Sequence, residues 1–377
     1  MTRTRSFFAV SVLIFGNHAI ADGVYVATLL SLMAAVLSEF ETSKRRRSEA
    51  IFYILVFWFL GIYSLQCLFG QIEPIEGLQD TLKICIVLYL AAYFFRSSEK
   101  VTLSIFKALP WSLTVYLIYV VLFVDWNTYD AIRARFAVPA FGSPNSLAFV
   151  LAIALISLQT NFQETRTSNN FLFFSCYCIL ILSLLATQSR GGMLVYVLSS
   201  LSMLRSRLLL YALVVGAFGA VLTALIIPSV VAKIFDYLER GSSGRVEIWL
   251  ALLDRLLDNP ISLLVGNGPV KIVLFESVVD SAHSMMVQVI YGFGLLGIVA
   301  LVLFGYYLLV ATTTFKGRER YSLSILLAVF VSAIIDSVMF NAQLFWLNGL
   351  LLGLIASPLN RDSVVVPDSV GALDTKH

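Results

Sequence analysis

Charge is scarce in this chain. Of 377 residues, 13% are Asp, Glu, Lys or Arg and 59% are hydrophobic, with a mean hydropathy of +0.88. A soluble domain carries about 25% charged residues to solvate its surface, so a cytosolic enzyme, a disordered scaffold and a disulfide-stapled secreted fold are all excluded. Net charge is only +3, and Lys44 to Arg47 is the one basic block, which leaves nothing to attract a nucleic acid. Cysteine is sparse too. Cys67, Cys85, Cys176 and Cys178 sit inside apolar runs without a C-x-x-C pair, so neither a metal framework nor a disulfide framework is written here. Histidine occurs three times, and the sequence has no H-E-x-x-H, no D-x-D and no clustered His and carboxylate set. It therefore implies no metal and no cofactor.

What the chain has in abundance is long apolar runs. A hydrocarbon core about 30 Å thick needs about 20 apolar helical residues at about 1.5 Å each. About twelve runs come close to that length, near 7–21, 24–40, 50–70, 78–95, 101–124, 146–160, 171–187, 191–204, 207–227, 284–312, 321–339 and 342–358. The expected fold is an all-α polytopic membrane protein: helices 1 to 9 in residues 1–227, an extracytoplasmic loop with a helix of its own in 228–282, helices 10 to 12 in 283–360, and a tail over 361–377. Basic residues in short loops mark the cytoplasmic side. Arg3 with Arg5, Lys44 to Arg47, Arg96 with Lys100, Arg166, Arg205 with Arg207, and Lys316 with Arg318 and Arg320 alternate with acidic loops at Asp22, at Glu73, Glu76 and Asp80, and at Asp125 and Asp130. Both termini are thus expected inside, with 125–145 and 228–282 as the substantial outer segments. Arg3, Arg5, the apolar stretch and Ala19-Ile20-Ala21 also imitate a signal peptide; the segment is read here as the first helix.

Three clusters at helix ends on the outer side can carry chemistry. In Thr187-Gln188-Ser189-Arg190-Gly191-Gly192, Arg190 joins two apolar runs with almost no loop, and the glycines Gly191 and Gly192 let an anion approach backbone N–H groups. An arginine snorkelling to lipid phosphates is the plainer reading. The second cluster, Gly241 to Trp249, opens an amphipathic helix lying near the membrane surface, capped by Ser243 and stopped by Asn259-Pro260. Val246, Trp249, Leu250, Leu253, Leu256 and Leu257 fall on one face, with Glu247, Asp254 and Asp258 opposite. Arg245 in its first turn opposes the helix dipole, which a bound anion would relieve. Gly266-Asn267-Gly268-Pro269 reads as a turn, since it lacks the residues of a phosphate loop. The third cluster is Asp280-Ser281-Ala282-His283-Ser284. An imidazole has a reference pKa of about 6.5, which makes His283 a candidate general base, against a merely structural histidine at an interface. Asp336 near the outer end of the eleventh run can orient a cation or the histidine, or simply be solvated. Arg133 and Arg135 can steer an anionic headgroup, or merely coat a loop.

Taken in order, these segments resemble the bacterial O-antigen ligase and O-antigen polymerase superfamily. Phe141-Gly142-Ser143-Pro144-Asn145-Ser146-Leu147-Ala148 is similar to its N-P-N-x-x-A helix start, with serine for the first asparagine. Thr187 to Gly192 is similar to its T-x-S-R-G segment. Arg245 four residues before Trp249, then Asn259-Pro260 and Gly266-Asn267-Gly268, follow its later pattern, as does His283 before Gly292-Phe293-Gly294-Leu295-Leu296-Gly297. The likeness covers roughly residues 140 to 340. It departs at Ser284, where the family often has asparagine, and at Tyr291, where it often has an acidic residue.

The resemblance implies metal-independent, inverting transfer of a glycan from an undecaprenyl-diphosphate-linked oligosaccharide to an acceptor sugar hydroxyl at the periplasmic face of the bacterial inner membrane. Arg190 and Arg245 would hold the diphosphate and His283 would deprotonate the acceptor, with Gly191, Gly192, Asp336 and Asn145 as further substrate-binding positions. The acceptor is either a lipid-linked repeat unit, as in a polymerase, or the lipid A core, as in a ligase. Pro144-Asn145 and the run Phe340 to Trp346 look more like polysaccharide polymerases. A polysaccharide or small-molecule transporter is the alternative outside enzymes. It would show charged or broken helices near the midplane, where Lys83 is the main oddity and lies close to a helix end.

Overall fold

Within a long apolar run the backbone has no polar partner except itself, so it closes its hydrogen bonds locally as helix. In the computed structural model of the chain, described over residues 3–19, 50–96, 99–123, 136–165, 170–203, 245–274, 277–279, 281–313, 319–336 and 344–356, the order is α1 (Arg3–Ala19), α2 (Ala50–Leu68), α3 (Pro74–Arg96), α4 (Glu99–Phe123), α5 (Pro144–Thr165), α6 (Asn170–Ala186), α7 (Arg190–Met203), α8 (Arg245–Leu257), α9 (Pro260–Val265), β1 (Ile272–Leu274), β2 (Ser277–Val279), α10 (Met285–Thr313), α11 (Glu319–Ile335) and α12 (Phe345–Ala356). The runs expected at 24–40 and 207–227 lie outside the described residues, as do Lys44 to Arg47, Arg133, Arg135, Ser243, Asp280 and the tail. The other expected runs are helices here. Among the described residues, four helical stretches are long and apolar enough to cross a membrane: Ala50–Leu68, Thr102–Phe123, Pro144–Phe162 and Met285–Val310. The chain is all-α as expected, with one short antiparallel hairpin that pairs Ile272 with Val279 and Leu274 with Ser277.

Burial sorts the helices. α5 is buried from Leu147 to Leu158, and every residue of α12 is buried. α12 lies against α3 with Gly349 and Gly353 at the contact, where a Cβ would meet the Cβ atoms of Leu90 at 2.5 Å and Phe94 at 2.7 Å. Small residues four apart let two helices approach in a lipid environment, where close packing and not water exclusion draws them together. By contrast α2 and α10 expose Phe57, Leu68, Val302 and Tyr306 along their outer flanks. Lys83, the oddity of the sequence, is paired with Asp80 at 2.6 Å within α3.

The apolar run of α10 conceals a break. Gly294 has φ 59° and ψ −153° in the middle of the helix, backbone that essentially only glycine adopts. The turn Gly266-Asn267-Gly268 is seated in this break: Asn267 N donates to Tyr291 O at 2.8 Å and Gly268 N to Gly292 O at 3.1 Å. Gln66 of α2 satisfies what the break frees. Its buried Nε2 donates to Gly292 O and, at 2.6 Å, to Val265 O, while Trp58 Nε1 donates to Leu296 O at 3.1 Å. Gln66→Leu would take the Nε2 donor from Val265 O and leave Gly292 O with the bond from Gly268 N alone. We expect this substitution to destabilise the protein by about 1–3 kcal/mol, the cost of one buried group left unmet, seen as a lowered midpoint of thermal unfolding in detergent.

Candidate functional site

The last carbonyls of an α-helix have no partner within it and carry the negative end of its dipole. At the end of α11 these carbonyls are where the candidate segments meet. Arg245 Nη1 donates to Ile335 O. Met285 N donates to Asp336 O at 3.2 Å, and Ser284 Oγ to Ala333 O at 3.4 Å. From another side Gly191 abuts the same residue: a Cβ placed on it would lie 3.0 Å from Ile335 Cγ2. Arg190, Arg245, Asp336 and the two residues that follow His283 are therefore brought to one helix end, although Arg190 and Asp336 are separated by more of the chain than a loop can span.

Local chemistry explains each placement. Arg245 is the first residue of α8, and its charge, unfavourable beside its own helix N-terminus, complements the C-terminal carbonyls of α11. Trp249 lies one turn later on the same face of α8 and its Nε1 donates to Ala282 O at 2.7 Å. The four-residue spacing thus lets one helix hold both α11 and the segment that carries His283. Ser189 caps α7, its Oγ accepting from Gly192 N at 3.2 Å, and Ser143 caps α5, its Oγ accepting from Ser146 N at 3.1 Å. Asn145, in that first turn of α5, is half-buried. Gly192 has a different use from the one expected. Its amide is taken by the cap, and a Cβ on it would stand 2.4 Å from Ala148 Cβ, so its smallness brings α7 onto α5 and leaves no room there for a ligand. Gly191 is the more open of the pair.

His283 is exposed, with its own N–H donating to Ser281 Oγ at 3.2 Å. Among the described residues, two that are not glycine take positive φ: His283 at 49° and Gln188 at 50°. Each such residue costs on the order of 1–3 kcal/mol and persists only where its surroundings enforce it. One stands in the arginine segment and the other is the candidate base. Sequence reasoning passed over Gln188, and only its place inside the Thr187 to Gly192 segment could have marked it.

Around one helix end the chain thus brings a part-exposed Arg245 and a part-exposed Asp336, with the exposed Arg190 and His283 each next in sequence to a residue in contact there. Guanidinium groups hold phosphate oxygens and an imidazole accepts a proton. Among the described residues no group of three or more His, Cys, Asp or Glu is placed to hold a metal ion. No protein-family model matches the chain, and no curated protein matches it.

Proposed function

We propose that this protein transfers a glycan from an undecaprenyl-diphosphate carrier to the hydroxyl of an acceptor sugar, and that it belongs with the O-antigen polymerases and ligases it resembles. The observation that carries the reading is the meeting of three separately written segments at the end of α11, beside Asp336, through Arg245 to Ile335, Met285 to Asp336 and Gly191 to Ile335, with Trp249 of the Arg245 segment bound to Ala282.

In the proposed step the acceptor oxygen attacks the anomeric carbon as the bond from that carbon to the phosphate oxygen breaks. The diphosphate leaves with the electron pair, the configuration inverts, and His283 takes the acceptor proton. Arg190 and Arg245 stabilise the charge that develops on the leaving group, which is the largest single contribution a preorganised site makes. In this reading about twelve helices cross a bacterial inner membrane, both termini are cytoplasmic and the site faces the periplasm. A lipid-linked repeat unit is the acceptor we favour.

Purified protein in liposomes with the lipid-linked repeat unit as sole substrate, in EDTA, is expected to build a ladder of longer lipid-linked glycans. Transfer that appears only after lipid A core is supplied would make the protein a ligase. Passage of the intact lipid-linked unit or its glycan across the bilayer, with no new glycosidic bond, would replace the enzyme by a transporter.

A further inference from the structure

α8 has three faces where an amphipathic helix has two. At about 100° per residue, Ile248, Leu252 and Leu256 form the stripe that is buried, with Ile248 and Leu252 packed in one cluster with Trp249, Val270 and Tyr291. The acidic residues Glu247, Asp254 and Asp258 form another, fully on the outside. Between them Val246, Leu250, Leu253 and Leu257 make a third stripe, 45%, 62%, 48% and 59% exposed, with no charged residue in it. The single apolar face expected from the sequence is therefore split: Trp249 and Leu256 turn to the protein, and the other four residues turn away from it. The exposed stripe does not stop at Asn259. Ile261 and Leu264 of α9 are exposed as well, and the Leu264 carbonyl carbon lies 2.7 Å from where a Cβ on Gly294 would sit. Leu264 thus borders Leu295, where the exposed flank of α10 begins and continues through Val299 and Val302. α10 is one of the helices long and apolar enough to cross a membrane.

We propose that Val246, Leu250, Leu253, Leu257, Ile261 and Leu264 are seated in the lipid surface at the boundary of headgroups and acyl chains, as one continuous apolar face with the flank of α10. α8 then lies in the plane of the interface, buried stripe toward the bundle and acidic stripe toward water. This fixes the depth of Arg245, the first residue of the same helix, at the level where lipid phosphates lie. The proposal rests on α10 crossing the membrane and not on the chemistry proposed above, so loss of the transfer reading leaves it standing.

The test places single cysteines, Leu253→Cys and Asp254→Cys, in a chain whose four native cysteines are replaced. Each is labelled with an environment-sensitive fluorophore and set in nanodiscs of phosphatidylethanolamine and phosphatidylglycerol holding one protein copy. Label at 253 is expected to emit blue-shifted and to be quenched several-fold more than label at 254 by lipids spin-labelled near the headgroup. Water-like emission at 253, unquenched by those lipids, overturns the proposal, as does protection at 253 that requires two copies in a disc. A second measurement uses the unaltered chain: a photoactivatable phospholipid is expected to leave adducts on 246–264, and adducts confined to α2 and α10 would also overturn it.

Discussion

Replacing His283 by alanine is expected to slow glycan transfer by about 10²–10⁴-fold, the usual contribution of a positioned general base, while leaving the protein folded. The side chain is exposed and no packing is lost with it. The backbone complicates the interpretation, because φ at His283 is 49° and alanine pays about 1–2 kcal/mol there. His283→Asn separates the two effects. Asparagine tolerates left-handed backbone but its carboxamide does not accept a proton, so transfer stays lost while thermal stability returns to that of the parent. Transfer restored in His283→Asn would mean that the backbone shape, and not the imidazole, was what mattered.

The second large effect concerns stability. Gly266 has φ 84° and ψ 176°, and a Cβ there would stand 2.4 Å from the carbonyl carbon and oxygen of Gly292. At Gly294 a Cβ would stand 2.6 Å from Gly266 N and 2.7 Å from Leu263 O. Both clashes are with main chain, which cannot rotate away as a side chain can. Conformational strain of about 1–3 kcal/mol adds to overpacking of about 1–3 kcal/mol, so Gly266→Ala or Gly294→Ala is expected to destabilise by on the order of 3–5 kcal/mol and to separate the α9 turn from α10. Gly70→Ala is the control: φ is also positive, at 63°, but nothing lies within 4 Å, so the cost stays near 1 kcal/mol. Thermal unfolding of the three variants in one detergent reads the contrast. A Gly266→Ala protein as stable as Gly70→Ala would mean that the two glycine segments do not interlock.

The helices were legible in the sequence because hydrophobic run length needs no knowledge of neighbours. Met285–Thr313 was placed within a residue or two for that reason. The break inside it was not, since Gly292 and Gly294 are apolar by composition and reveal their role only against Gly266. The same limit applies to Gln66, a lone polar residue in an apolar run, whose partners lie 199 and 226 residues away. In α8 the helical period was read correctly, but the division of its apolar residues between protein and exterior depends on what packs there. The short hairpin at Ile272 was missed because three-residue strands carry too few residues for any alternation to register. For the site, order and residue type marked Arg190, Arg245, His283 and Asp336. Their meeting point is the backbone carbonyl end of α11, and main-chain atoms leave no signature in a sequence. Gly192 was legible as a glycine but not as a packing contact with Ala148, for which the neighbour had to be known.

The account depends on two guanidinium groups holding one diphosphate, and affinity measures that without requiring turnover. Binding of undecaprenyl diphosphate to the purified protein in EDTA, compared for the parent, Arg190→Ala, Arg245→Ala and the double variant, is expected to weaken by about 10–100-fold in each single variant. That follows from about 1.5–3 kcal/mol for a charge-assisted hydrogen bond, and the double variant should lose less than the product of the two because both act on one anion. Parent-like affinity in both single variants would contradict it.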